Sequence, residues 1–183
     1  MLSSMALTEK DLLTVQAAYP DNRVELRDGK IIVMSPSDNM SEAIVARLIR
    51  RLEEWTEPRR LGFVFGSSAG FRLPNGDVVA PDVSFVSKER MQLPPRSYGS
   101  VVPNLVVEVK SPSDRLAELE DKLSMLRSFG AEASLLIDPD ERTVVVAMVD
   151  QPTRTLTDAD ILEIPAVLHG WSMPVSELWP KPL

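Results

Sequence analysis

The order of segments predicts an α/β fold, a mixed β-sheet flanked by helices. Three observations carry that expectation. Residues 41–56 and 113–129 are long and place apolar side chains at helical spacing. Three strand-like segments, 63–71, 78–86 and 104–109, lie between them. In the last of these, Leu105-Val106-Val107 is apolar without alternation, which suits a central strand covered on both faces.

Each element has its own grounds. Residues 8–18 make a short helix, with Thr8 placed to cap it and Leu12, Leu13 and Val15 available for burial, and Pro20 ends it. Residues 23–34 read as a hairpin, because the Asp28-Gly29 turn separates Val24 and Leu26 from the apolar run 31–34. The first long helix buries Val45, Leu48, Ile49 and Leu52 and stops at Pro58, with Arg47, Arg50 and Arg51 on its solvated face. Pro74-Asn75-Gly76-Asp77 turns between two strands, and the proline-bearing segment 91–103 is a loop. Ser113 or Asp114 caps the second long helix, whose stripe is Leu116, Leu119, Leu123 and Leu126 and whose end is Gly130. Strands 134–137 and 143–148 flank the turn at Asp138-Pro139-Asp140. The tail, through 161–165 and 171–179, is expected to pack onto the sheet or onto a partner subunit. A single domain over 1–183 is expected, with its core over about 7–150 and a C-terminal extension over 151–183.

Composition narrows the chemistry. Hydrophobic residues make up 44% and charged residues 26%, which excludes a disordered or fibrous chain. Without cysteine there is no disulfide, thiolate zinc site or thiol nucleophile, and the single histidine, His169, excludes a multi-histidine metal centre. Any metal is therefore held by oxygen, which favours magnesium, manganese or calcium. The first ten residues do not read as a secretory signal, and no apolar run spans a bilayer, so a cytoplasmic protein without a membrane partner is expected. The formal net charge of −7 opposes a broadly basic surface and leaves room only for a local basic groove.

One constellation carries chemistry. Pro81-Asp82 opens the strand segment Val83-Ser84-Phe85-Val86, and Glu108-Val109-Lys110 closes another. Period-two alternation puts Glu108 and Lys110 on one face, while Val109 can offer its backbone carbonyl. If the strands are neighbours, Asp82 and Glu108 share a divalent cation and Lys110 lies beside a scissile phosphate. Such a cation polarises a phosphoryl oxygen and acidifies water, and a lysine orients that water or offsets developing charge.

The ordered set of motifs resembles the Uma family of restriction-endonuclease-like proteins, within the PD-(D/E)XK nuclease superfamily. The residues that carry it are Glu25-Leu26 with Asp28-Gly29, Met34-Ser35-Pro36, the run 81–86, the run 103–114, Lys122 and Ile137-Asp138-Pro139. The resemblance extends from about Leu7 to Trp179 and implies a restriction-endonuclease-like sheet with metal-binding carboxylates at its active edge. It implies Asp82 and Glu108 as the acidic ligands, Lys110 as the lysine, Glu25 as an accessory acid and Lys122 as a lysine of the following helix. It also implies magnesium- or manganese-dependent cleavage of DNA, and related folds commonly act as homodimers. Two positions depart from the family pattern. Ser41 stands where a histidine is frequent, and Leu126 where an aromatic residue is frequent.

Simpler readings accompany the residues. Glu25 fits an exposed hairpin position as well as a ligand. Lys122 pairs with Glu118 one turn earlier more readily than it enters chemistry. Asp114 is most simply a helix cap, and Trp55, Trp171 and Trp179 are core or interface residues. The positive cleft that DNA requires is expected from Lys110, Lys122 and arginines of the first long helix. The rival to an endonuclease is a non-catalytic dimeric binding module, supported by the acidic net charge and by Ser41.

Overall fold

The computed structural model describes residues 6–182, so part of the segment read against a secretory leader lies outside the described residues. Helix α1 (Glu9–Ala18) has Thr8 at its N-cap, where the Thr8 amide donates to Asp11 Oδ2 at 2.8 Å. Strands β1 (Arg23–Arg27) and β2 (Lys30–Met34) form the expected hairpin. Its turn residues Asp28 and Gly29 have φ of 49° and 67°, the left-handed pair that a tight hairpin turn demands. Helix α2 (Asn39–Thr56) starts two residues before the expected Ser41, because Asp38 accepts the free amides of Met40 and Ser41.

Two expected strands are each split between two sheets. Residues 63–71 become β3 (Gly62–Gly66) and β4 (Phe71–Arg72), and residues 78–86 become β5 (Val78–Val79) and β6 (Val83–Ser87). The second break falls at Ala80-Pro81-Asp82, where proline has no amide to give to a ladder. The chain then runs through β7 (Leu105–Val109), α3 (Leu116–Ser128), β8 (Ala133–Asp138), β9 (Thr143–Met148), β10 (Arg154–Leu156), β11 (Ile161–Glu163) and β12 (Ser172–Pro174). The expected proline-bearing loop over 91–103 holds no named strand or helix.

The larger sheet has the order β10-β9-β8-β7-β6-β3, parallel only between β7 and β8. The smaller one has the order β2-β1-β5-β4, and β11 pairs with β12. Strand β7 is buried along its whole length, as its unalternated apolar run requires. Its Leu105, Val107 and Val109 meet Val45, Leu48 and Leu52 of α2 on one face. Val106 meets Leu123 and Leu126 of α3 on the other, so Leu126 fills core volume in its aromatic-free form. Helix α3 begins at Leu116 after Arg115, with no side-chain cap. The expected cap, Asp114, instead closes the preceding turn by accepting the Ser111 amide and hydroxyl at 2.8 and 2.7 Å.

The tail joins the α2-side core. Leu162, Ile164, Leu168, Trp171, Met173 and Trp179 pack in the same cluster as β7 and α2, and Trp171 Nε1 donates to the Arg51 carbonyl at 3.1 Å. Trp171 and Trp179 are only 3% and 4% exposed, so they supply no apolar surface for a second subunit. No described helix is long and apolar enough to cross a membrane.

Leu162 tests how far the tail belongs to the core. Truncation to Ala at this fully buried position should cost about 2–5 kcal/mol, read from urea unfolding as one cooperative transition with a lowered midpoint. A loss below about 1 kcal/mol would mean that the tail is a loosely attached appendage.

Candidate metal and phosphate site

The site forms where the two sheets meet. Strand β1 alternates Arg23, Glu25 and Arg27 onto one face. Asp82 stands at the proline junction before β6, Glu108 near the end of β7, and Lys122 in the middle of α3. Glu108 shares the α3 face of the sheet with Val106, opposite the face of Val107 and Val109.

Asp82 and Glu108 converge, as the motif order requires. Both line one cavity of about 270 Å³ together with Val109, Arg23, Arg27 and Lys122. Asp82 Oδ2 accepts the Val109 amide at 2.9 Å, which fixes the carboxylate against the end of β7. Asp82 Oδ1 receives Arg23 at 2.8 Å. Glu108 is 2% exposed, and its Oε1 has no well-aligned hydrogen-bond donor although Lys122 Nζ lies 2.7 Å away.

Lys122 overturns its simpler reading. It is 4% exposed and lies 2.7 Å from Glu25 Oε1 as well as from Glu108, while Glu118 pairs with Arg115. A fully desolvated ammonium is tolerated only among opposite charges, and α3 turns this position inward to meet two of them. Glu25 is likewise not an exposed hairpin residue. It is fully buried, accepts the Ala80 amide at 2.8 Å and faces Arg27 at 3.2 Å.

These contacts set the ionisation states. Burial is the largest influence on Glu108 and, aided by the charges of Asp82 and Glu25 against the opposing pull of Lys122, pushes its carboxyl up to about 8. Burial also works against Glu25, but Lys122, Arg27 and the Ala80 amide outweigh it and hold that carboxyl below its ordinary range. Burial opposes the charge on Lys122 too, yet Glu108 and Glu25 raise its pKa and keep it protonated.

Lys110 is placed differently from expectation. Strand β7 ends at Val109, and the Lys110 ammonium leans towards β8, 2.8 Å from Asp140 and 3.5 Å from Asp138. It does not line the cavity. The arginines of α2 do not line it either, since Arg50 and Arg51 pair with Glu54 and Glu177. The basic groups present are Arg23, Arg27, Arg115 and Lys122. Sequence reasoning missed Arg23 and Arg27, although their alternation with Glu25 on one strand was the available signal. Ser41, at the family's histidine position, is buried beside this region, with its hydroxyl 2.6 Å from Asp38 Oδ2 and 3.2 Å from the Lys110 carbonyl.

The donor set fits a hard divalent cation. Asp82 and Glu108 are the carboxylates that converge on the cavity wall beside Val109, with Asp82 Oδ1 held by Arg23 and Glu108 Oε1 close to Lys122. Among the described residues no three acids or histidines gather at one point, so Glu25 does not complete a three-carboxylate cluster. Its oxygens belong to Lys122, Arg27 and Ala80 instead. Two carboxylates leave most positions of such a cation to water and to other oxygens.

A family model described as "Uma2: Putative restriction endonuclease" matches residues 10–176. A crystal structure described as a "putative nuclease belonging to DUF820" from Anabaena variabilis ATCC 29413 superposes with a TM-score of 0.77 at 20% identity, over 86% of this chain and 90% of that one. That likeness shows the fold. A cryo-EM structure of a DrdV–DNA complex gives a TM-score of 0.46 at 14% identity, over 95% of this chain and 13% of that one. No curated protein matches the chain.

Two outcomes test this geometry. Lys122→Met leaves Glu25 and Glu108 buried without their shared cation and should cost about 3–5 kcal/mol in urea unfolding, and an effect under about 1 kcal/mol would contradict the buried bridge. The second concerns pH. Between about 4.5 and about 8 the folded Glu108 carboxyl holds a proton that the unfolded chain has released, so this group makes stability fall as pH rises. Glu108→Gln removes that dependence. In chelator, the stability of the variant relative to wild type should therefore increase from about pH 5 to about pH 9. A difference that stays flat across this range would place Glu108 in a solvated setting.

Proposed function

Since the chain belongs to the Uma2 family, whose members are described as putative restriction endonucleases, we propose that it is a metal-dependent endonuclease hydrolysing phosphodiester bonds in DNA. The family supports a nuclease-like function, and the shared cavity of Asp82 and Glu108 is the observation that carries the finer reading.

In this proposal Asp82 Oδ1, Glu108 and the Val109 carbonyl hold magnesium or manganese. The bound cation would polarise a phosphoryl oxygen and lower the pKa of water. The protein's own groups do the rest. The Val109 amide and Lys122 hold the two carboxylates in place at the cavity wall. Lys122 is a positioning residue, because its charge is already divided between Glu25 and Glu108. Lys110 remains the lysine proposed to meet the phosphate or the attacking water. Its nearest partner, Asp140, is two-thirds exposed and Asp138 lies 3.5 Å away, so in this reading the ammonium leaves both carboxylates to meet the phosphate. Cleaving both strands of a duplex takes two such sites, and a homodimer is part of the proposal.

Manganese calorimetry and plasmid cleavage on the same preparations test the roles. Glu108→Gln should lose both metal binding and cleavage, because it removes an anionic ligand. Lys110→Ala should bind manganese as wild type does and cleave about a hundredfold more slowly or worse, the usual cost of losing one transition-state donor. A wild-type protein that binds manganese but cleaves no nucleic acid would replace the enzyme with a metal-bound interaction module. Loss of metal binding in a folded Lys110→Ala protein would show that the lysine serves the ligands and not the phosphate.

A further inference from the structure

Counted as formal charges, the acids and bases of this cluster balance without a metal. Three acids, Asp82, Glu108 and Glu25, face three bases, Arg23, Arg27 and Lys122. Lys122 is anchored deep in the protein between both glutamates, and Arg27 faces a fully buried Glu25 at 3.2 Å without a well-aligned hydrogen bond.

Arg23 holds one carboxylate oxygen, Asp82 Oδ1 at 2.8 Å, and its other contacts are to neutral acceptors, the Ser67 carbonyl at 3.5 Å and Met34 Sδ at 3.4 Å. Its side chain is 27% exposed. It also forms a wall between the metal cavity and a second cavity of about 550 Å³. That second cavity carries Asn22, Ser67 and Ser68 together with the carboxylates Asp21 and Glu42, so a guanidinium has space and hydrogen-bonding partners there.

Building on the metal reading above, we propose that Arg23 is a displaceable cation that holds Asp82 before the metal arrives and then transfers to the phosphodiester. A divalent cation at Asp82 Oδ1 repels a guanidinium already hydrogen-bonded to that oxygen. The metal therefore enters as Arg23 leaves. The freed guanidinium presents a planar fork suited to two phosphate oxygens, and the phosphate restores the charge balance that the metal has upset. Metal and DNA binding are thereby coupled, each favouring the arginine position that the other needs.

The test uses full-length protein with Mn²⁺ alone as the first probe. Arg23→Met should bind Mn²⁺ about tenfold more tightly than wild type, a change of the size seen when a ligand's partner is altered. Arg23→Lys, which keeps the charge, should stay near wild type. With a short DNA duplex in Ca²⁺, Arg23→Met should bind more weakly than wild type and show less metal enhancement. Unchanged or weaker Mn²⁺ affinity in folded Arg23→Met overturns the displacement. If wild type binds no Mn²⁺, or if Asp82→Asn binds it equally well, the metal site itself fails and the displacement with it. Should Arg23→Met not fold, wild type still decides. The Arg23 guanidinium resonances, assigned against Arg23→Lys, should shift on adding Mg²⁺, and resonances that stay in place overturn the proposal.

Discussion

The Lys122 ammonium, buried between Glu25 and Glu108, is the interaction on which the rest of this structure depends. An ammonium without water needs anions close by, and these anions come from elements far apart in sequence. Glu25 lies 97 residues before Lys122 and belongs to the smaller sheet, whereas Glu108 belongs to the larger. One charged contact therefore registers β1, β7 and α3 against one another. Hydrophobic packing alone would tolerate small slides of these elements, but a three-way ion contact in low dielectric tolerates very little.

The same contact shapes the chemistry. Lys122 has its charge divided between two carboxylates, and its pull leaves the Glu25 carboxyl held low while Glu108, which also faces Asp82, is pushed up to about 8. The environment thereby separates carboxylates that start alike. Glu25 keeps its charge beside the lysine and arginine, while each glutamate has one oxygen without a well-aligned donor, Oε2 of Glu25 and Oε1 of Glu108.

Much of this was legible in the sequence. The hairpin at Asp28-Gly29, the apolar stripe of α2 and the doubly covered β7 follow from turn chemistry and periodicity, which act over a few residues. The convergence of Asp82 and Glu108 followed from motif order. Less visible was the transfer of the chain between sheets at Ala80-Pro81-Asp82, because an apolar run broken by proline reads equally well as one strand with an irregularity. The burial of Lys122 was also hidden. Spacing offered Glu118 as its partner, and only the tertiary position of Glu25 decides that the lysine turns inward. Lys110 was misplaced for a similar reason, since alternation gives a face but not the direction in which a long side chain leans across neighbouring strands.

The net charge of −7 finds its answer at the site. The cavity wall carries Asp82, Glu108, Asp114 and Glu118 against Arg23, Arg27, Arg115 and Lys122, so the opposing formal charges are equal in number. Protonation of Glu108 at neutral pH tips that balance by only one positive charge. A polyanion gains little from such a surface, and a divalent cation changes it far more than any single side chain could. Under the proposed displacement a broad basic face on α2 is not required, because attraction for phosphate would arise locally, from the cation and from the arginine it frees.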